Sequence, residues 1–188
     1  MSKLTGGKFA NGAITSAMQW WYNAEKMGEV QEHRKAEKIF NDLVARGISE
    51  NNSGLHQQAL NFAAGYWGID FEDRGEFFYP KFDSALKHYP LIKDNRISVS
   101  LSTLQEGLGF TGSTLFHEMD HIKNGSRYIG QFGMESSRLL EVSAYDAQLK
   151  HNQRFRLTER QVGILQSNRN DNCVNIHIDN RTSRGITC

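Results

Sequence analysis

Only two prolines interrupt this chain of 188 residues. Little therefore breaks its helices, and 17 glycines supply flexible joints between them. No apolar run approaches the length needed to span a membrane. No continuous apolar stretch opens the chain, so no signal peptide is expected, and export would need another carrier. Charge of one sign is also missing. The formal net charge is +1, with acids and bases interspersed, so neither a nucleic-acid nor a membrane partner is expected. Cysteine is scarce. Cys173 and Cys188 both lie near the C-terminus and neither sits in a CxxC pair, which argues against a structural zinc site of that kind. A bond between them would clip the tail and add about 3 kcal/mol in an oxidising compartment. Two reduced thiols are the other option, and spacing alone leaves both open. Internal repeats are absent, and the length suits a single domain with a real core.

Against that plain background one stretch stands out, Thr114 to Gly125, which contains His117-Glu118-Met119-Asp120-His121. This is an HExxH pattern. On a helix, residues four apart share a face, so both imidazoles could bind one zinc ion. Glu118 follows the first ligand and is placed to take a proton from water as general base. Leu115, Phe116, Met119 and Ile122 recur at helical spacing and would bury the back of this helix. Thr111 or Ser113 can cap its start, and Asn124-Gly125 can end it. Upstream, Arg96 to Thr103 alternates polar and apolar residues as a half-buried strand does, and its edge could pair with an extended peptide. The plain alternative is an amphipathic helix with two surface histidines.

A catalytic zinc usually takes a third protein ligand. The metzincin pattern would need a glycine three residues and a histidine six residues beyond the motif, where this chain has Asn124 and Arg127. Glu141, in Glu141-Val-Ser-Ala-Tyr145-Asp146 on a later helix, fits a glutamate ligand better, with Glu135 as its competitor. With that glutamate the motif resembles the gluzincin metallopeptidases across residues 97–150. The resemblance implies a zincin-like fold, α+β and mainly helical, with a small sheet, an HExxH helix and a second helix that carries the glutamate. It implies His117, His121 and Glu141 as zinc ligands and Glu118 as the base. Ala144 would let the two helices pack closely. Asp146 is a candidate to orient a ligating histidine, and Tyr145 a candidate to stabilise the oxyanion, beside Tyr128, His151 and His177.

Along the rest of the chain, residues 24–46 read as a charged helix ended by Gly47, with Val30, Ile39, Leu43 and Val44 inward and His33 on the solvated face. Ser53 can cap a second helix reaching Tyr66, with His56 structural or at the surface. Residues 75–82 read as short extended structure, 83–89 as a turn or two of helix, and Gly107 to Gly112 as a flexible joint. Helices are expected over 134–148, extending toward Phe155, and over 159–166 behind a Thr158 cap. Val174 to Ile178 alternates like a short strand in a polar tail. The aromatics Trp20, Trp21 and Tyr22 read as packing residues.

The first residues, Thr5-Gly-Gly-Lys-Phe-Ala-Asn-Gly-Ala13, resemble the segment that precedes the toxic C-terminal domains of bacterial polymorphic toxins, Rhs-type proteins among them. On that resemblance residues 1–23 are a linker and residues 24–188 the toxin domain. It implies a secreted effector delivered into a target cell, in periplasm or cytoplasm, and a cognate immunity protein. The combined expectation is a monomeric zinc metalloendopeptidase acting on a protein or peptide substrate. A zinc amidase of cell-wall peptides and a non-catalytic binding module are the alternatives.

Overall fold

A computed structural model of the chain describes residues 29–87, 90–93, 95–124 and 135–188. The expectations for residues 1–28, Tyr128 among the glycines of 125–133, and the start of the helix at Met134 lie outside these. The described chain is mainly helical with two small sheets, the α+β class expected from the sequence.

Two helices form the first layer. Helix α1, Glu29–Ser49, runs through Gly47 rather than stopping there. Gly47 is needed for a different reason: a Cβ there would lie 2.4 Å from the His56 ring. The buried stripe of α1 is His33, Ala36, Phe40 and Val44. Val30, expected inward, is 56% exposed, and His33, expected outside, is only 6% exposed. His33 and Val30 lie three residues apart, but the stripe that α2 covers begins at His33, whose Nδ1 bonds the Tyr66 hydroxyl at 3.0 Å. Helix α2, Ser53–Trp67, is capped by Asn52, one residue before the expected Ser53, because the Asn52 side chain accepts from the Gly54 amide at 3.0 Å. Gly68 closes it with φ 56°, a left-handed conformation that glycine adopts without strain.

Strands β1 (Glu72–Asp73) and β2 (Glu76–Phe77) form a hairpin about Arg74 and Gly75, both at positive φ. Strands β3 (Tyr79–Phe82), β4 (Leu91–Lys93) and β5 (Arg96–Val99) form the second sheet in the order β3-β5-β4. β5 pairs in parallel with β3 and antiparallel with β4. The strand expected up to Thr103 therefore ends four residues early, and it is central. Both of its edges are paired, so it has no free edge for a peptide. Ser100 ends it by capping the short helix α3, Leu101–Gln105. Between β3 and β4, Asp83 to Leu86 makes a turn and no helix.

Helix α4, Leu108–Asn124, starts three residues before the expected cap at Thr111. Its glycines are packing devices instead of joints. A Cβ on Gly109 would sit 2.2 Å from the Phe155 carbonyl oxygen, and one on Gly112 would sit 2.0 Å from the Trp67 ring. Trp67 reaches back to donate its Nε1–H to the Leu108 carbonyl at 2.9 Å. The main core lies between α1, α2, the second sheet and α4, with Phe40, Leu60, Ile97, Leu108, Leu115 and Phe155 fully enclosed. Burial of such side chains contributes roughly 1.5–3 kcal/mol each.

Helix α5, Ser136–Lys150, packs on α4 on one side and on α6, Glu159–Val174, on the other. It stops at Lys150; residues 151–156 are turns that bring Phe155 into the core. α6 opens with a Thr158–Gln161 capping box and runs two turns beyond its expected end. The strand expected over Val174 to Ile178 is absent: Val174 ends α6, a turn follows, and Ile178 opens helix α7, Ile178–Thr182. A second small core of Leu139, Val142, Cys173 and Ile176 joins α5, α6 and this tail. Cys173 is bonded to Cys188, which decides between the two cysteine options. No described helix is long and apolar enough to cross a membrane.

Candidate metal centre

Two local periodicities build the centre. On α4, His117 and His121 are one turn apart, and their rings stand at 88° with centroids 4.5 Å apart. On α5, Glu141 faces them. His117 Nε2 lies 3.3 Å from Glu141 Oε2, and His121 Nε2 lies 3.3 Å from Glu141 Oε1. All three donor atoms fall within 4.8 Å of one another. A tetrahedral ion with bonds of about 2.0–2.1 Å holds its ligands about 3.3 Å apart, so the spacing suits a small divalent metal. Ala144, the small residue expected to ease the packing of these helices, is fully buried on α5.

The hydrogen bonds of His117 support the same reading. Gln148, 2% exposed, accepts from His117 Nδ1 through its Oε1 at 2.8 Å. The Gln148 Nε2 donates in turn to Ser113 Oγ at 2.9 Å. An amide oxygen only accepts, so Nδ1 carries a proton and, in the neutral imidazole, Nε2 keeps its lone pair. In that form Nε2 and the Glu141 oxygens are all acceptors converging on one point, an arrangement that a metal ion between them satisfies.

Without a metal, the same side chains bind one another directly. Burial pushes the Glu141 carboxyl up, but the His117 and His121 imidazoles more than offset it and hold it down at about 2. Burial lowers His121, and the Glu141 carboxylate outweighs that and raises it. Glu118 differs. It is 7% exposed, and burial dominates, raising its pKa despite the two imidazoles. A carboxyl raised this way is a stronger base than a free glutamate, which suits proton transfer.

The centre lies in the wall of a cleft of about 690 Å³. α4 supplies Phe110 and Thr114 beside the histidines, α5 supplies Tyr145 and Gln148, and α6 supplies a further wall. Tyr145, expected near the site, is buried with its ring centroid 4.6 Å from that of His117.

Several expected roles fall elsewhere. Glu135 is not a ligand: its carboxylate accepts from the His177 amide at 2.9 Å and from Asn180, tying down the start of α7. Asp146 does not orient a histidine. Five residues beyond Glu141, it points to the other side of α5 and pairs with Arg169 at 2.6 Å. His151 packs edge-on against Phe116, and His177 caps α7. Sequence reasoning missed Gln148. Its signal was present, since positions 141, 145 and 148 share one face of a helix. Ser113, one turn before His117 on α4, accepts from the other end of the Gln148 amide.

Comparison of the chain with protein-family models, with curated proteins and with solved structures finds no match.

Proposed function

We propose that this chain is a zinc-dependent peptidase whose ion is held by His117, His121 and Glu141. The observation that carries the reading is the convergence of three donor atoms from two helices, with a buried glutamate beside them, in the wall of an open cleft. Bound there, a zinc ion supplies Lewis acidity, polarising a carbonyl oxygen and making water more acidic.

The chain's own residues do the rest. Glu118, with its carboxyl raised by burial, takes the proton of the attacking water and returns it to the leaving amine. Gln148 fixes His117 in the tautomer that leaves Nε2 for the metal. Tyr145, packed against His117 and lining the cleft, is the proposed donor to the developing oxyanion. The same three donors would suit Fe(II), so metal identity is part of the test.

The finer reading rests on the N-terminal resemblance. In it the peptidase is a secreted effector that works as a monomer in a target cell and is neutralised by an immunity protein. Purified protein should carry one zinc per chain. Glu118→Gln should keep that zinc and lose nearly all hydrolysis of a protein substrate, and His117→Ala should lose the metal. Wild-type turnover in Glu118→Gln would overturn the mechanism. Purified cell wall, digested in parallel, separates a peptidase from an amidase of cell-wall peptides.

A further inference from the structure

One wall of the cleft is built from a single stripe of α6: Ile164, Leu165, Asn168, Asp171 and Asn172. Their spacing of three and four residues puts them on a single helix face. The stripe changes character along its length. Its first turn is apolar, and its last two turns present amide and carboxylate groups.

Charge along the cleft is one-sided. Among the described residues no lysine or arginine lines it, whereas Glu106, Glu118, Glu141 and Asp171 do. Three of these four are committed. Glu118 and Glu141 belong to the proposed chemistry, and Glu106 is paired with Arg160 and bonded by Gln161. Asp171 remains, exposed, with no ion-pair partner among the described residues. Arg138, the guanidinium that reaches this helix end, is turned to the Asn175 carbonyl at 2.5 Å. Asn172 spends its Nδ2 on the Asn168 carbonyl at 3.0 Å, so its Oδ1 is the group left to offer. Arg169, the nearest cation in sequence, is turned to Asp146 and the Thr187 carbonyl. Both residues also lie in the last turn of a 16-residue helix, where the backbone dipole favours positive charge.

This end of the wall is also held in place. Cys173 follows Asn172 directly, is fully buried, and is bonded to Cys188. A recognition group on a pinned helix loses little by ordering when it binds.

We propose that Asp171 and Asn172 form a specificity subsite for a cationic side chain, lysine or arginine. Two turns back on the same stripe, the half-buried Ile164 takes an apolar neighbour, so the substrate class is a peptide that places an apolar and a basic residue close together. This rests on the peptidase reading for its meaning, but its test does not need turnover.

The test uses zinc-loaded Glu118→Gln, full chain, and two blocked hexapeptides. One carries adjacent leucine and lysine; the other has norleucine in place of the lysine. The lysine peptide should bind about three- to tenfold tighter by calorimetry, the size expected for one partly exposed ion pair at a helix C-terminus. The preference should shrink with added salt and disappear in Glu118→Gln carrying Asp171→Asn, an exposed change with no packing to lose. Equal binding of the two peptides, binding of neither, or a preference that survives Asp171→Asn would each overturn the subsite. Wild-type kinetics are read separately. A lysine preference in binding, with no cleavage of either peptide, would sink the peptidase reading and leave the subsite standing.

Discussion

Replacing Gln148 with leucine tests whether the centre depends on a side chain that touches no metal. Gln148 is buried, accepts from His117 Nδ1 at 2.8 Å and donates to Ser113 Oγ at 2.9 Å. Leucine fills a similar volume and makes neither bond. Two buried polar groups then lose their partner, at a cost of about 1–3 kcal/mol each. That loss should lower stability by about 2 kcal/mol or more even with the metal chelated. The second effect falls on the metal. Without its acceptor His117 can rotate or change tautomer, and loss of such an outer partner typically weakens metal binding by about 10- to 100-fold. That factor corresponds to about 1.4–2.7 kcal/mol. Competition with a chromophoric zinc chelator measures the affinity, and urea unfolding in excess chelator measures the stability. Gln148→Glu separates orientation from packing, because a carboxylate can still accept from both His117 and Ser113. It should hold zinc at least as tightly as the wild type. A folded Gln148→Leu protein with unchanged zinc affinity would refute the reasoning, as would a Gln148→Glu variant as weak as Gln148→Leu.

Three further outcomes are expected. Glu141→Ala should lose zinc affinity, whereas Glu135→Ala should keep it and loosen only the tail; metal titration of both variants checks this, and the reverse pattern would restore Glu135 as the ligand. Reduction, or Cys188→Ser, should lower stability by up to about 3 kcal/mol in denaturant unfolding, since the bond closes a loop over a sequence separation of 15; an unchanged midpoint would show that the tail is held by packing alone. Burial lowers the pKa of His33 below 6.5, a shift that Arg156 reinforces and Glu37 opposes. The unfolded chain therefore takes up that proton first. The contribution of His33 to stability is complete above about pH 6.5 and is lost as the pH falls toward the depressed folded value. His33→Gln should flatten that limb of the stability-pH curve, and an unaltered slope would count against the assignment.

Local chemistry made much of this protein readable in advance. His117 and His121 meet because a helix brings every fourth residue onto one face, and that needs no knowledge of the rest of the fold. Glu141 could be named from its place in a later helix with small and apolar neighbours. Thr158 as a cap, and the mixed, mainly helical class, follow from the same short-range rules.

Where competing local signals met, contacts distant in sequence chose between them. Residues 96–103 alternate like a strand throughout, yet Ser100 caps a helix once β5 has been paired on both sides. The glycines of α4 look like hinges until Trp67 and Phe155 are seen against them. Val174 to Ile178 alternates, but Cys173 and Ile176 must both enter the small core beside Leu139, which a helix and a turn achieve. Gln148 and Asp146 were equally polar on paper. Only the packing of α5 between α4 and α6 turned one toward His117 and the other toward Arg169. The sequence by itself determined the histidine pair, the glutamate beside it and the helical class, because those depend on backbone periodicity. Tertiary structure decided which side chain bonds His117, how the cysteines are joined and which helix completes the wall of the cleft, because those depend on which helices touch.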